Sequence, residues 1–269
     1  MDNTLNLEAM KNLNSYNAEM AKSSYDKLGF VDRIFDNIDT VVDFGCADGS
    51  VTELLRFYYP KAKIIGYDIA EIQNPSTTST VIYTNDLDRV KNELTGTSLL
   101  VMNSVMHEIF HYMSKEDADA LIDRLINMNF TYIWIRDMYI ASKSTFMDKS
   151  FLQLNLDRLN EFLDKNDKFM SKKLAFETIY GQINDWPNMI HFLLKCRFDA
   201  NWHREVKEDY TAFGKNKDEL FKKLSNKYDE TYDSLYVLPY IEYINQKDFA
   251  ISIKSLGMTT HLKSIWRLK

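Results

Sequence analysis

Short apolar runs alternate with amphipathic stretches between residues 40 and 137. Five of these runs have strand character, and several end in glycine or polar residues: 40–44, 63–68, 80–84, 98–103 and 131–136. Three stretches between these runs have the apolar spacing of an amphipathic helix: Ser50 up to Pro60, 87–94 and 114–128. Ser50 and Glu53 are predicted to form a capping box at the start of the first of these helices. Strands that alternate with helices predict parallel β-α-β units and an open sheet covered on both faces.

The pattern changes on either side of this region. A helix is predicted over 15–36 before it, and helices dominate from 138 to about 217 after it. Beyond that point a helix (218–224), a strand (229–238), a short helix (247–255) and a final strand (261–268) are predicted. We therefore divide the chain into an N-terminal helical segment (1–38), a sheet domain (39–137 and 218–269) and a helical insertion (138–217).

Composition narrows the classes of protein that fit. The chain has 269 residues, 45% of them hydrophobic, with 33 Lys and Arg against 39 Asp and Glu, a net charge of −6. This is a globular composition, and the acidic balance does not favour nucleic acid as the partner. Two cysteines and five histidines suggest no metal cage, so no metal site is predicted. With no secretory leader or membrane-spanning run in the sequence, we expect a cytoplasmic protein without a membrane partner.

The most informative motif follows the first strand. Asp43 precedes the turn Gly45-Cys46-Ala47-Asp48-Gly49, and Asp68 lies 19 positions after Gly49, at the end of the second strand. A glycine turn between a strand and a helix lets a ligand approach the backbone, and an acid about 20 positions on can accept hydrogen bonds from a ribose. The carboxylate of Asp43 would repel a pyrophosphate but suits an ammonium group. Together these residues favour a nucleoside cofactor with an amino-acid end, such as S-adenosylmethionine (SAM).

Residues 40–137 and the tail from about 217 resemble class I SAM-dependent methyltransferases. Asp43, Gly45 and Gly49 match the first motif of that family, and Ala47 stands where the family has its middle glycine. The resemblance implies an α/β Rossmann-like, mostly parallel sheet of seven strands in the order 3-2-1-4-5-7-6, with an N-terminal helix and a helical insertion after strand 5. It also implies that SAM is the cofactor. The expected cofactor contacts are Asp43, Gly45, Cys46, Ala47, Gly49, Asp68, Ile69, Asp86, Leu87 and Asn103.

The segment after strand four is expected to face the reacting atoms. It lacks the Pro-Pro signature of enzymes that methylate amines of DNA bases and is more similar to small-molecule methyltransferases. His107 is the first candidate for a base or for positioning the acceptor. An equal alternative is a histidine at the start of a helix that is hydrogen-bonded to the backbone. Glu108 is the second candidate, with the alternative that it only favours the helix N-terminus.

Substrate contacts are expected from strand five and from the insertion. Arg136 ends strand five, and aromatic and polar residues of the insertion have the composition of a ligand wall. The candidates are Arg136, Trp186, His191 and Trp202. The alternatives are a structural ion pair with the insertion for Arg136 and helix packing for the other three residues. The predicted function is methyl transfer from SAM to a small-molecule acceptor. An RNA or protein methyltransferase, and a SAM-binding protein without catalysis, remain alternatives, and the oligomeric state is open.

Overall fold

A computed structural model describes residues 24–70, 81–142, 148–199 and 201–269. Seven strands form one sheet: β1 (Thr40–Phe44), β2 (Lys63–Tyr67), β3 (Val81–Thr84), β4 (Ser98–Asn103), β5 (Tyr132–Met138), β6 (Tyr228–Tyr236) and β7 (His261–Leu268). The helices in these residues are α1 (Ser24–Lys27), α2 (Ser50–Tyr58), α3 (Leu87–Glu93), α4 (Met106–Tyr112), α5 (Lys115–Ile126), α6 (Lys149–Asp164), α7 (Asp167–Tyr180), α8 (Trp186–Lys195), α9 (Trp202–Glu205), α10 (Ala212–Ser225) and α11 (Pro239–Phe249). Across these described ranges, no helix has the length and apolar character that spanning a membrane requires.

The strands lie in the order β3-β2-β1-β4-β5-β7-β6, which confirms the predicted order. β1 to β5 pair in parallel, while β7 pairs antiparallel with both β5 and β6. This is the sheet that the resemblance to class I methyltransferases implies. The chain changes direction across the sheet between β1 and β4, and open α/β sheets bind ligands at the carboxyl ends of the strands at such a point.

The two faces of the sheet bury different helices, because successive strand residues point to opposite faces. Val42 and Leu100 face a core that α3, α4, α5 and α10 cover. Val41 and Trp134 face the other core, which α2 and residues 28–38 cover. The described part of the N-terminal segment therefore lies on the same face as α2.

The helical insertion has a core of its own, built around α6, α7 and α8. Leu159 and Phe176 are fully buried in it. The connection between β6 and β7 joins this core through Ile244 and Ile253 rather than covering the sheet. The end of the sheet domain is thus packed against the insertion, and the predicted division of the chain into domains remains a prediction.

Three local predictions need correction. Of the helix predicted over 15–36, residues 15–23 lie outside the described residues. In the rest, only Ser24–Lys27 is helical. Turns follow around Gly29, because glycine is a poor helix former. The short helix predicted over 247–255 lies instead at Pro239–Phe249, where a proline occupies the first turn. The Ser50 side chain does not cap α2, whose N-cap residue is Gly49.

Candidate functional site

The turn after β1 has a backbone that requires its glycines. Gly45 and Gly49 have φ values of 77° and 78°, in the left-handed region. A Cβ at Gly45 would lie 2.7 Å from a methyl of Val105, and one at Gly49 would lie 2.6 Å from the Tyr83 hydroxyl. Ala47, where the resembling family has glycine, also has a positive φ of 48°, which costs about 1–2 kcal/mol in a non-glycine residue.

Asp68, at the end of β2, holds this turn in place. One carboxylate oxygen accepts a hydrogen bond from the backbone N–H of Ala47 at 2.9 Å, and the other accepts one from the N–H of Ala70 at 2.9 Å. The side chain of Ile69 beside it is 63% exposed. The structure therefore brings the predicted acid and the glycine turn together at the edge of the sheet where β1 and β2 end.

Asp43 lies buried under the turn and accepts a hydrogen bond from the Thr52 hydroxyl at 2.7 Å. Burial raises its pKa to about 6, against the opposing influence of the Thr52 hydrogen bond and of the Lys27 ammonium. Lys27, from the N-terminal segment, is itself buried, and burial lowers its pKa to about 8. A carboxylate and an ammonium thus share the space beside the glycine turn.

Two more predicted cofactor residues are buried near the same edge. The side-chain oxygen of Asn103, the last residue of β4, accepts a hydrogen bond from the Trp134 indole at 3.0 Å. Its Nδ2 is buried and has no hydrogen-bond acceptor among the described residues. Cys46 is buried in the turn, and burial raises the pKa of its thiol. Asn103 therefore offers an amide nitrogen with unused N–H donors at the carboxyl end of β4.

The predicted adenine contacts follow β3. Asp86 is exposed and caps α3, since its carboxylate accepts a hydrogen bond from the N–H of Asp88 at 2.9 Å. Leu87 is 7% exposed and belongs to the core on the α3 face of the sheet. Asp86 thus has open space around it, whereas Leu87 could meet a ligand only through its small exposed surface.

His107 has a different environment from the one predicted. Its Nδ1 lies 2.7 Å from an oxygen of Asp137, and its Nε2 lies 2.7 Å from an oxygen of Glu208. Burial alone would lower the pKa of His107, but the two carboxylates raise it well above its ordinary value. Both ring nitrogens are engaged, so in this arrangement His107 is not available as a general base. It is held by carboxylates, not by the backbone.

Glu108 lies on the next position of α4 and faces the insertion. Its carboxylate is 3.2 Å from the guanidinium of Arg204, and its side chain is 37% exposed. Burial by its surroundings and the charge of Glu208 raise the pKa of Glu108 to about 7. A carboxyl group with a pKa near neutrality can exchange a proton with a bound acceptor.

The four predicted substrate residues do not form one wall. Arg136 is buried and binds Asp26 of the N-terminal segment at 2.8 Å and the Ser104 hydroxyl at 2.6 Å. Its ion pair therefore joins the N-terminal segment rather than the insertion. Trp186 donates its indole N–H to the Leu152 carbonyl at 3.0 Å inside the insertion's core.

The other two substrate candidates also have packing partners. His191 is buried and accepts a hydrogen bond from the Tyr210 N–H at 3.3 Å, and burial lowers its pKa well below its ordinary value. Trp202 is half-buried, with the Lys172 ammonium 5.3 Å from its ring centre. Their assignment as substrate contacts stays a prediction, while the helix-packing alternative describes their surroundings.

Sequence reasoning missed Asp137 and Glu208 as partners of His107. Glu208 is 101 positions away from His107, and no local pattern marks it. The sequence did contain one signal, because residues 107–111 read His-Glu-Ile-Phe-His and so match the pattern H-E-x-x-H. On a helix, this pattern is typical of two histidines that bind a metal and a glutamate that acts as base. In the structure, the ligand atoms of His107, Glu108 and Glu208 all lie within 4.8 Å of one another, and His111 is not part of this group.

Comparisons with known proteins give weak and partial similarities. No family model matches the chain. A stretch of 35 residues is 54% identical to the juvenile hormone acid O-methyltransferase of Bombyx mori; it makes up 12% of this chain and spans only 13% of that relative.

Two plantazolicin methyltransferases have a similar fold. BpumL, in complex with SAH, has a TM-score of 0.49 and 10% identity, and the match covers 95% of this chain and 89% of BpumL. BamL has a TM-score of 0.46 and 10% identity, and the match covers 92% of this chain and 83% of BamL. PKMT2 from Rickettsia typhi is also similar, with a TM-score of 0.42 and 12% identity, and the match covers 90% of this chain and 52% of PKMT2. At these identities and TM-scores the fold assignment depends on the strand order of the chain itself.

Proposed function

We propose that this chain is a SAM-dependent methyltransferase that acts on a small-molecule acceptor. The observation that supports the proposal is the glycine turn after β1. The backbone N–H of Ala47 in this turn donates a hydrogen bond to the carboxylate of Asp68 at 2.9 Å. The turn lies where the chain changes direction across the sheet, between β1 and β4. A turn of this kind exposes backbone to a ligand, and an acid at the end of the second strand can bind ribose hydroxyls.

The residues around the turn fit the parts of SAM. Asp68 keeps lone pairs for ribose hydroxyls after accepting its two backbone hydrogen bonds. Asp43 suits the ammonium of the amino-acid end, and the unused Nδ2 donor of Asn103 suits its carboxylate. The exposed side chain of Ile69 and the carboxylate of Asp86 suit the adenine. When bound, SAM supplies an electrophilic methyl group on a sulfonium.

The protein's own contribution to methyl transfer is alignment and the handling of one proton. An in-line displacement needs the acceptor held against the methyl group, and a protonated acceptor also needs a base. Glu108 fits the base better than His107, because its carboxylate is partly exposed whereas carboxylates engage both ring nitrogens of His107. We expect the acceptor to bind between α4 and the insertion.

Calorimetry with SAM and with its demethylated product tests the proposal. We expect micromolar binding of both, and Asp68→Ala should weaken it about tenfold, the effect of removing one hydrogen-bond partner worth about 1–3 kcal/mol. Asp218→Asn is the matched control, since that carboxylate is almost fully exposed and distant in sequence from the turn. Absence of binding at millimolar SAM would contradict the proposal.

Transfer of a labelled methyl group from SAM into a fractionated lysate tests the acceptor class. Label in the small-molecule fraction is the expected result, and label confined to RNA or to protein would contradict the small-molecule assignment. Binding of SAM without any transfer would instead favour a protein that has lost catalysis.

A further inference from the structure

We infer that His107, Glu108 and Glu208 form a binding site for a divalent metal ion of the Mn²⁺ or Zn²⁺ type. One nitrogen and two carboxylate oxygens, each from a different residue, lie within 4.8 Å of one another. His107 and Glu208 are buried, while Glu108 has 37% of its side chain exposed. An imidazole with carboxylates suits first-row divalent ions, and the partly exposed side leaves room for water or a ligand.

The orientation of His107 is the second observation that points to a metal. Its Nδ1 is 2.7 Å from Asp137, and the same carboxylate accepts the backbone N–H groups of Met106 (2.7 Å) and His107 (3.3 Å). Metal-binding histidines nearly always donate the N–H of their second ring nitrogen to a carboxylate, a backbone carbonyl or water, and such a contact orients the ring and raises its basicity. Asp137 thus directs Nε2 of His107 at the two glutamates.

The metal must compete with charges that the protein already places there. The guanidinium of Arg204 is 3.2 Å from Glu108 and 3.7 Å from Glu208. In the structure Arg204 therefore neutralises part of the charge that the ion would neutralise. On binding, the ion takes the place of the Nε2 proton of His107, which goes to solvent, and Arg204 moves away from the two carboxylates. Its side chain is 27% exposed, so it has solvent to move into.

The position of the cluster indicates what the ion would do. His107 and Glu108 lie in α4, which begins three positions after β4 ends at Asn103, and Glu208 comes from the insertion. If the proposed methyl transfer is correct, an ion here would hold an oxygen of the acceptor beside the methyl donor and lower the pKa of a hydroxyl. With the ion bound, Glu108 would act as a ligand, and the lowered pKa of the hydroxyl would replace its role as base. This role depends on the proposed function, whereas metal binding itself does not.

Titration of the metal-free protein with Mn²⁺ tests the site, with free Mn²⁺ followed by electron paramagnetic resonance and Zn²⁺ binding followed by calorimetry. We expect one equivalent to bind, with proton release. Glu108→Gln, on the partly exposed side, should weaken binding at least tenfold. Arg204→Gln should tighten it several-fold, because it removes the competing cation. Glu161→Gln, an exposed glutamate on α6, is the control and should leave the affinity unchanged.

The Arg204→Gln result separates a metal site from a salt-bridge network. If the cluster serves only as ion pairs, no stoichiometric Mn²⁺ or Zn²⁺ binds to any of these proteins, and that result overturns the inference. Binding that Glu108→Gln does not weaken, or that Arg204→Gln does not tighten, would place the ion elsewhere and also overturns it. Calorimetry with SAM in the presence of a chelator tests the proposed function independently of this outcome.

Discussion

Asp43 is a buried carboxyl group whose surroundings resist its ionisation. Burial raises its pKa from 3.8 to about 6, and the carboxylates Asp68 and Asp48 add to that effect, while Thr52 and Lys27 oppose it. An acid whose pKa is higher in the folded than in the unfolded state makes folding less favourable as the pH rises through that interval. This destabilising carboxyl group lies at the position that we propose contacts the ammonium of SAM.

Asp43→Asn should therefore stabilise the protein more at pH 7.5 than at pH 4.5. The difference in unfolding free energy between the variant and the wild type should grow by about 2 kcal/mol across this range. The reason is that ionisation of Asp43 destabilises the folded wild type as the pH rises. The asparagine oxygen can still accept the Thr52 hydrogen bond. Urea unfolding at both pH values measures the difference, with Asp218→Asn as the exposed control. A constant difference between variant and wild type would contradict a raised pKa.

At the scale of elements, Asp26 fastens the short helix α1 to the sheet. Its carboxylate binds Arg136 of β5 at 2.8 Å, the hydroxyl of Tyr236 of β6 at 2.6 Å, and the ammonium of Lys263 of β7. Burial opposes ionisation of Asp26, but Arg136 and Lys263 hold its pKa below the usual range. One residue of the N-terminal segment thus joins three strands and brings the neighbouring Lys27 beside the glycine turn.

Asp26→Ala should cost about 3–5 kcal/mol of stability, because it leaves the buried guanidinium of Arg136 without its counter-ion. The loss should also detach the N-terminal segment from the sheet. Urea unfolding gives the first quantity, and hydrogen exchange of residues 28–38 gives the second. Asp32→Ala changes an exposed carboxylate of the same segment and should have little effect. Equal effects of the two variants would show that Asp26 does not hold the N-terminal segment on the sheet.

At the scale of the whole molecule, the sheet and the insertion meet through charged side chains as well as through packing. His107 of α4 binds Glu208 of the insertion, and Lys195 of α8 donates to the backbone carbonyl of Glu208. The connection between β6 and β7 shares the insertion's core. The region expected to bind the acceptor is therefore built from both parts of the chain, and its shape depends on how they pack.

Phe176→Ala should destabilise the protein by about 3–5 kcal/mol, because Phe176 is fully buried among His191, Phe192 and Tyr180 in the insertion's core. SAM affinity below the unfolding transition should not change, because these contacts are within the insertion. Thermal unfolding and calorimetry with SAM measure the two effects. Phe151→Ala, at a position 51% exposed on α6, should change stability by less than about 0.5 kcal/mol. A large loss of SAM affinity in Phe176→Ala would contradict this separation.

The order of elements could be predicted from the sequence because it depends on local signals. Apolar runs and glycine turns are encoded within a few neighbouring residues, so the strands from 40 to 137 were predicted and confirmed. The glycine turn and Asp68 could be paired because the carboxyl ends of adjacent parallel strands lie at the same edge. Where a local signal was ambiguous, as around Gly29 and Pro239, the predicted helix limits were wrong.

The partners of the charged residues were decided only by the tertiary structure. From the sequence alone, His107 was a candidate base and Arg136 a candidate substrate contact. Packing gave each a distant carboxylate partner: Glu208, 101 positions from His107, and Asp26, 110 positions from Arg136. Such pairs form because burying a charge is costly unless an opposite charge accompanies it. Which opposite charge does so depends on how distant segments pack, and the local pattern does not contain that information.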